Sequence, residues 1–300
     1  MSGEFRLLIA RLIADPQDLS EKLEVAKEDL ARHGLRLAMA EMLDFCGNVL
    51  ELELPEGDPA LLRTLLDKHF TPSDLLVAER DIAIPHVFVS DMDSTIISAE
   101  CIDELADFAG IKPQIAAITE RAMQGELDFE SALRERVSLL RDLPESAIAE
   151  CLETRIAAMP GAGTLVATLK EKGCRTVLVT GGFHQFADPV AGQLGFERVV
   201  ANRLEVDQGV LTGGLVGSIT DSGVKKAVLL EEMESLGAWA VSLAAGDGAN
   251  DIPMLEAATF GMAFRAKPKA RAASDGWIDR GDLTSILQLL GIPSADWVTR

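Results

Sequence analysis

The sequence predicts an α/β protein in which a Rossmann-like parallel sheet carries a helical insertion and is preceded by a small α+β domain of ferredoxin-like topology. Three observations support this prediction: apolar strands alternate with helical patterns, a long segment after the first strand of the larger domain has only helical patterns, and the first 80 residues follow the order βαββαβ. At roughly 150 residues per domain, 300 residues suggest two domains. We expect them to cover residues 1–80 and 81–300.

The N-terminal segment switches repeatedly between strand and helix patterns. Short apolar or alternating runs favour strands, and apolar residues at helical spacing favour helices. The expected elements, in order, are a strand in Phe5–Leu12, a helix over Leu19–His33, a strand in Leu35–Leu43, a strand over Asn48–Leu54, a helix over Asp58–Phe70 and a strand over Asp74–Ala78. This order is the split βαβ arrangement.

The larger domain begins after a linker at Arg80–Pro85. Each apolar strand is followed by a polar or Gly-rich turn, as in a parallel sheet whose ligand groups lie at the carboxyl ends of the strands. The expected strands are Val87–Val89, Arg175–Val179, Arg198–Ala201 and Ala240–Ala245. From about residue 98 to 158 the pattern predicts only helices, over Glu100–Phe108, Pro113–Met123, Phe129–Leu140 and Glu145–Ile156. A glycine-rich hairpin is expected within Asn202–Thr220.

Composition and charge indicate a folded, acidic protein. Hydrophobic residues make up 48% of the chain and charged residues 25%, close to the globular average. The formal net charge of -20 repels nucleic acid and anionic membrane surfaces, so an anionic substrate must be held by a local cationic pocket. The scattered cysteines favour neither disulfides nor a zinc site, and no apolar run reaches the roughly 18 residues of a membrane span. We therefore expect a cytoplasmic protein without nucleic-acid or membrane partners.

Two acidic motifs follow apolar strands. Asp91 and Asp93 lie two residues apart, so in an extended backbone they point to the same side. Carboxylates this close repel unless a cation or a proton lies between them, which favours a hard ion such as Mg²⁺. Taken alone, the pair is more typical of a solvated turn that caps a helix. Asp247 and Asp251 change that balance, because they follow another strand of the same predicted sheet.

Two further segments suit a phosphate group. Thr180, Gly181 and Gly182 directly follow a strand, where a hydroxyl and exposed backbone N–H groups can hold phosphate oxygens. Lys225 and Lys226 open a helical stretch, and an ammonium group there would offset phosphate charge. The residues alone leave the choice between the two lysines open.

In this order, these segments resemble the four motifs of the haloacid dehalogenase superfamily of phosphotransferases: DxD, a Ser or Thr, a Lys, and GDxxxD. The likeness narrows to the phosphoserine phosphatases through the segments Asp91–Thr95, Glu100–Glu104, Thr119–Met123, Leu133–Val137 and Gly246–Leu255. It covers roughly residues 87–268, about the whole larger domain. The N-terminal segment resembles the ACT-like extension of longer bacterial members, by analogy at the level of fold.

The resemblance implies hydrolysis of O-phospho-L-serine, the last step of serine biosynthesis, through an aspartyl-phosphate. Asp91 would be the nucleophile, and Asp93 would act as general acid and then as general base. Mg²⁺ would be held by Asp91, Asp93 and Asp247, with Asp93 using its backbone carbonyl in this family. Asp251 would position the metal site or its waters.

The same resemblance assigns the phosphate contacts. Thr180, the Gly181 amide and Lys225 would hold the phosphoryl group, with Gly182 beside them. The family's KxxxL pattern favours Lys225, although one residue of slip would select Lys226. Thr180 departs from the serine that many members carry, but it keeps the hydroxyl.

Substrate choice would come from the helical insertion, which caps the site in this family. Glu100 would bind the ammonium group and Arg136 the carboxylate of a free amino acid. Met123 and Phe129 would shield the reacting centre from water, and Asn250 would contact substrate or phosphate. Without the resemblance, Arg136 would be interpreted as a surface residue on a charged helix.

Three alternatives remain open from the sequence. A related phosphatase or phosphotransferase acting on phosphohomoserine or a similar phosphate would use the same motifs. A receiver-like signalling module would form an acyl phosphate and stop there, but Asp93 and the inserted cap argue against it. A serine-binding regulator with an inert catalytic domain is disfavoured, because every motif position is filled. Pairing through the N-terminal domain would give a homodimer.

Overall fold

The N-terminal unit has the predicted βαββαβ order. The computed structural model of the protein describes residues 7–123 and 126–299. Its first elements are β1 (Leu8–Ile13), α1 (Leu19–Arg32), β2 (Met39–Met42), β3 (Val49–Leu54), α2 (Pro59–Phe70) and β4 (Asp74–Ala78). These strands are antiparallel neighbours in the order β2-β3-β1-β4. Phe5 lies outside the described residues, and the strand predicted within Leu35–Leu43 is shorter than that range.

The remaining elements alternate strands with helices, apart from the predicted helical insertion and the predicted hairpin. They are β5 (Val87–Ser90), the insertion helices α3 (Cys101–Phe108), α4 (Lys112–Met123), α5 (Phe129–Ser138) and α6 (Ser146–Arg155), then α7 (Ala162–Glu171), β6 (Arg175–Phe183), α8 (His184–Leu194), β7 (Arg198–Asp207), β8 (Val210–Val216), α9 (Ser222–Leu236), β9 (Ser242–Gly246), α10 (Ile252–Ala257), β10 (Phe260–Phe264), α11 (Pro268–Ala273), β11 (Gly276–Ile278) and α12 (Thr284–Leu289). The predicted hairpin is β7–β8. Strands β10 and β11 were not predicted from the sequence. Among the described residues, no helix combines the length and apolar character required to cross a bilayer.

The strands named above form one 11-stranded sheet in the order β2-β3-β1-β4-β11-β10-β9-β5-β6-β7-β8. β4 pairs antiparallel with β11, with Leu76 opposite Gly276, so the sheet continues from the N-terminal unit into the larger unit. Glycine is required at position 276, because a Cβ there would collide with the carbonyl oxygen of Leu75. The division into two domains near residue 80 stays a prediction.

The central parallel strands are covered by helices on both faces. Alternate residues of a strand point to opposite faces. Phe88 of β5 packs in a cluster with residues of α7 and α8, whereas Val87 and Val89 pack with residues of α9 and α10. Burial on both faces explains why these strands read as continuous apolar runs that end at a polar turn.

The cap, helices α3–α6, is attached to the hairpin β7–β8 as well as through its two chain connections. The Asp142 N–H donates to the Leu211 carbonyl at 2.9 Å, and the Leu211 N–H donates to the Leu143 carbonyl at 2.9 Å. The Glu145 N–H donates to the Gly209 carbonyl at 2.9 Å. These backbone hydrogen bonds fix the segment between α5 and α6 against the larger unit.

Candidate active site

The candidate site lies where two neighbouring parallel strands end. β5 and β9 pair with Ser90 opposite Ala245, and the Asp91 N–H donates to the Ala245 carbonyl at 2.9 Å. Asp91 and Asp93 therefore meet Asp247, which follows β9, at one edge of the sheet. The open space beside these carboxylates is a cavity of about 330 Å³ between the sheet and the cap.

A buried lysine offsets part of this negative charge. Lys225, near the start of α9, is 1% exposed, and its Nζ lies 2.6 Å from Asp91 Oδ1 and 2.7 Å from Asp251 Oδ1. Asp221 caps the N-terminus of α9 with its side chain and so fixes where the helix begins. Lys226 is exposed. The geometry therefore favours Lys225 over Lys226 as the lysine of the site.

The surroundings of Lys225 keep its ammonium group charged. Burial by itself lowers the pKa of Lys225, but Asp91 and Asp251 outweigh burial and raise that pKa above its ordinary value. Burial raises the pKa of the Asp91 carboxyl, and the charge of Lys225 opposes this shift. Asp91 is thus a poorly solvated carboxyl, and a further cation beside it would stabilise its ionised form.

Asp93 lies in the turn after β5, in a position suited to hold a proton. Its Oδ1 accepts a hydrogen bond from the Cys101 N–H at 3.4 Å. Ser94 has a left-handed φ of 58°, and its hydroxyl donates to Glu100 Oε1 at 2.8 Å. Burial, and then the charge of Glu100, raises the pKa of Asp93 to about 7. A carboxyl that titrates near neutrality can donate a proton and later accept one.

Three carboxylates form a cluster that suits a cation. One oxygen each of Asp91, Asp247 and Asp251 lies within 4.8 Å of the others. Burial, and then the charge of Asp251, raises the pKa of Asp247 to about 6. Oδ1 of Asp251 accepts from Lys225, and Oδ2 accepts from the N–H groups of Asp247 and Gly248 at 3.1 and 3.0 Å. Asp251 therefore organises the loop, whereas Asp91 and Asp247 line the cavity.

An all-oxygen set with excess negative charge fits a hard divalent cation better than a soft one. The carboxylates of Asp91 and Asp247 are the groups that would hold it. The Asp93 carboxylate is not part of the cluster formed by the described residues, so its predicted role as a ligand depends on its backbone carbonyl. That role stays a prediction.

Strand β6 continues to Phe183, beyond the end predicted at Val179, and its irregular end, Thr180–Gly182, is named the phosphate turn below. It lies on the side of β5 away from β9. The pairing of β6 with β7 shifts register near the end of β6, so Thr180, Gly181 and Gly182 leave the regular ladder and line the cavity. The Gly182 N–H donates to Thr180 Oγ1 at 2.9 Å. A Cβ on Gly182 would lie 3.1 Å from Asp93 Oδ2, so glycine permits the turn to approach the carboxyl closely.

Cap side chains close the cavity opposite the sheet. Phe129 and Arg136 come from α5, and Glu100 precedes α3. A Cβ on Gly181 would lie 3.2 Å from the ring of Phe129, which places this ring over the phosphate turn. Burial lowers the pKa of Arg136, whereas the charges of Asp103 and Glu100 raise it. The predicted substrate contacts that line the cavity are Glu100, Phe129, Arg136, Thr180, Gly181 and Asn250.

Some cavity residues were not predicted from the sequence, and the side chain of one predicted residue is not among those the structure describes. Met123 ends α4, but its side chain lies outside the described residues. Cavity residues that were not predicted are Ile102, Thr119, Leu133, Phe183 and Lys267. Leu133 could have been found, because it falls on the same face of α5 as Phe129 and Arg136. Lys267 belongs to none of the motifs recognised in the sequence. Its Nζ lies 3.9 Å from Asp247 Oδ2.

Known proteins are similar to this chain. Residues 88–256 match the haloacid dehalogenase-like hydrolases. The chain belongs to this family. It is 43% identical over 205 residues to the phosphoserine phosphatase of Albidiferax ferrireducens, a match that covers 66% of this chain and 86% of that protein.

Solved structures extend the likeness. A probable phosphoserine phosphatase from Vibrio cholerae, in unliganded form, is similar with a TM-score of 0.74 and 31% identity, covering 97% of this chain and 88% of that one. A phospho-aspartyl intermediate analogue of a phosphoserine phosphatase is similar with a TM-score of 0.62 and 37% identity, covering 68% of this chain and 98% of that one.

These likenesses confirm the predicted family, the fold class and the prediction of a phosphatase. The match to the Vibrio cholerae structure includes most of the N-terminal unit as well as the larger unit. The ACT-like character of the N-terminal unit and the roles of individual site residues stay predictions.

Proposed function

We propose that the protein hydrolyses O-phospho-L-serine to L-serine and phosphate through an aspartyl-phosphate on Asp91. The observation that carries this proposal is that one cavity holds two sets of groups. Carboxylates backed by a buried lysine, on the sheet side, suit phosphoryl transfer. Glu100 and Arg136, on the cap side, suit the ammonium and carboxylate groups of a free amino acid. The relatives named phosphoserine phosphatase support the same substrate.

In the first step, a carboxylate oxygen of Asp91 attacks phosphorus. A P–O bond to Asp91 forms while the P–O bond to the serine oxygen breaks. Asp93, in its protonated form, donates its proton to the departing serine oxygen, so serine leaves as a neutral alcohol. Lys225, 2.6 Å from Asp91, offsets part of the repulsion between the carboxylate and the phosphate dianion.

In the second step, a water molecule attacks the phosphorus of the aspartyl-phosphate. Asp93, now ionised, accepts a proton from this water as the new P–O bond forms and the bond to Asp91 breaks. Phosphate is released, and both carboxyls return to their starting forms. The pKa of Asp93, about 7, suits both proton transfers. Phe129, over the phosphate turn, limits the access of other water.

We propose Mg²⁺ as the cation of the site, with the carboxylates of Asp91 and Asp247 and the Asp93 carbonyl as its protein ligands. When bound, the ion would supply positive charge that offsets the repulsion between Asp91 and the phosphate group. Thr180 and the Gly181 N–H would hold phosphoryl oxygens from the phosphate turn. A cytoplasmic location and a homodimer stay predictions from the sequence.

The test is phosphate release from L-phosphoserine with Mg²⁺, measured beside phosphohomoserine, phosphothreonine and an aryl phosphate. We expect kcat/KM for L-phosphoserine to exceed that for the others by at least about tenfold. Asp91→Asn should lower kcat by at least about 10³-fold. Arg136→Leu should raise KM for phosphoserine and leave the aryl phosphate unaffected, because that ester lacks a carboxylate.

Two outcomes would contradict the proposal. Similar rates on all four esters, or a preference for phosphohomoserine, would overturn the assigned substrate and the roles of Glu100 and Arg136. Full activity of Asp91→Asn would overturn the assigned nucleophile.

A further inference from the structure

A buried asparagine joins two segments of the active site that are distant in sequence. Asn202, in β7, is 1% exposed. Its Nδ2 donates to the Gly181 carbonyl at 2.7 Å, and its Oδ1 accepts from the Thr220 N–H at 2.8 Å. Gly181 belongs to the phosphate turn, the irregular end of β6, and Thr220 directly precedes Asp221, the residue that caps α9. The side chain therefore links the phosphate turn to the start of the lysine helix.

The irregular pairing of β6 with β7 explains why a side chain, and not the backbone of β7, donates to the Gly181 carbonyl. Val179 lies opposite Val200, but the next pair is Phe183 opposite Asn202, so β6 contains two more residues than β7 between these pairs. A bulge of this kind takes the Gly181 carbonyl out of the regular ladder, and a carbonyl in a poorly solvated position needs another donor. The carboxamide of Asn202 supplies that donor and an acceptor for a second segment.

The second hydrogen bond fixes the position of α9. Thr220 is 4% exposed, and a Cβ on Gly181 would lie 3.8 Å from its carbonyl oxygen, so the two segments run side by side. Five residues further along, Lys225 reaches Asp91 at 2.6 Å. A shift of Thr220 would therefore move Lys225 relative to Asp91 and to the turn.

We propose that Asn202 is a positioning residue that sets the separation between the phosphate turn, Thr180–Gly182, and Lys225. Its side chain does not line the described cavity and acts through the groups it holds. The inference rests on the proposed function only in that the turn and the lysine hold a phosphoryl group. It does not depend on which alcohol carries that group.

The chain offers a matched control on α8, beside the same strand. Gln185 Nε2 donates to the Leu204 carbonyl at 2.8 Å, and its Oε1 accepts from the Leu204 N–H at 3.2 Å. Like Asn202, this carboxamide donates to one main-chain carbonyl and accepts from one main-chain N–H, but both belong to a single β7 residue that does not line the described cavity. Asn202→Asp and Gln185→Glu each replace the donating NH₂ with an oxygen and keep the acceptor.

The experiment compares these two variants with the wild-type protein. Asn202→Asp should lower kcat/KM by about 10-fold to 100-fold, because repulsion from the Gly181 carbonyl displaces the turn and a misplacement of about 1 Å can cost about 10²-fold. Inhibition by orthovanadate, which mimics the five-coordinate phosphoryl group, should weaken in parallel. Gln185→Glu should change both quantities by less than about twofold, with a similar fall in Tm.

Equal losses of activity in the two variants, or unchanged orthovanadate inhibition in Asn202→Asp, would overturn the positioning role. If Asn202→Asp does not fold, Asn202→Ala and Gln185→Ala are compared in the same assays and judged by the same outcomes. Rates are measured on L-phosphoserine and on an aryl phosphate. A wild-type protein active on the aryl phosphate alone would overturn the proposed substrate, while the comparison on that ester would still decide the role of Asn202.

Discussion

The N-terminal unit and the active site both bury a carboxylate, but they surround it differently. Asp29, on α1, is 4% exposed and lies 2.6 Å from Lys68 Nζ and 2.8 Å from His69 Nε2. Hydrogen bonds from these two groups lower the pKa of Asp29 to about 2. Asp91 is also 4% exposed, yet burial raises its pKa although Lys225 lies 2.6 Å away.

The comparison distinguishes carboxylates whose charge is compensated by neighbouring groups of the fold from carboxylates of the site whose charge a ligand would compensate. Where the N-terminal unit meets the larger unit, Asp74 Oδ1 accepts from the three N–H groups of residues 279–281, so its charge is well solvated by the protein. In the site, Asp93 and Asp247 keep a raised pKa, about 7 and about 6. These carboxylates cost stability in the free protein, as functional sites commonly do, and a bound cation would restore it.

The largest effect is expected from removing Lys225. Lys225→Met keeps the length of the side chain but leaves Asp91 and Asp251 beside each other without the ammonium group. We expect kcat/KM to fall by at least about 10²-fold and Tm to fall as well. Lys226→Met, at the exposed neighbouring position, should change kcat/KM by less than about twofold. Steady-state kinetics and thermal unfolding measure both, and similar losses in the two variants would contradict the assignment of Lys225.

The next effect concerns metal binding, which should stabilise the protein through the active site alone. At a free Mg²⁺ concentration of about 100 times Kd, binding to the native state adds about 2.7 kcal/mol to the free energy of unfolding. We expect Mg²⁺ to raise Tm in the wild type and in Asp29→Asn, but not in Asp247→Asn. Scanning calorimetry with Mg²⁺ and with a chelator measures this. A full rise in Asp247→Asn would place the cation elsewhere.

Local patterns predicted the strands that carry the motifs. β5 and β9 are buried on both faces, so their sequences are apolar runs that end at a polar turn. β10 and β11 lacked this signal, because Gly261 and Gly276 fall within them and β11 has 3 residues. The pairing of β4 with β11 joins segments far apart in the chain, and such a pairing leaves no periodic pattern.

The site residues show the same limit. Periodicity could not separate Lys225 from Lys226, because the residues three and four positions further along are apolar for both, Val228 and Leu229 for the first and Leu229 and Leu230 for the second. Asn202 offers no sequence signal either. Its role depends on the register shift between β6 and β7, which becomes visible only when the two strands are paired.

A smaller effect is expected at the contact between the N-terminal unit and the larger unit. Asp67, on α2, accepts from both terminal nitrogens of Arg271, on α11, at 2.7 and 3.0 Å. Asp67→Asn keeps the shape and removes the charge, so it should lower the free energy of unfolding by about 1 kcal/mol. The kcat/KM of Asp67→Asn should stay within about twofold of the wild-type value.

Urea unfolding and steady-state kinetics measure these two quantities. The control is Glu24→Gln, which removes an exposed pair with Lys27 and should change stability by less than about 0.5 kcal/mol. A large loss of kcat in Asp67→Asn would contradict the separation of structural from functional charge, because it would couple the N-terminal unit to the site.

The smallest effect concerns pH. A carboxyl whose pKa is lower in the folded state contributes stability above its unfolded pKa and loses that contribution as pH falls through the folded value. The pKa of Asp29 is lowered from 3.8 to about 2, first by the hydrogen bond from Lys68 and then by that from His69. The difference in unfolding free energy between wild type and Asp29→Asn should therefore shrink between about pH 4 and pH 2.

The groups that face Asp29 decide how this result is interpreted. Lys68, His69, Arg32 and His33 each have a nitrogen within 3.9 Å of its carboxylate, and Asp29 is the acid among these five side chains. The Asp29 carboxyl is therefore the group of this cluster that titrates in the acid range, and urea unfolding at several pH values follows it. A difference between wild type and Asp29→Asn that stays flat down to about pH 2 would show that Asp29 is not selectively stabilised in its ionised form, and the contrast with Asp91 would fail.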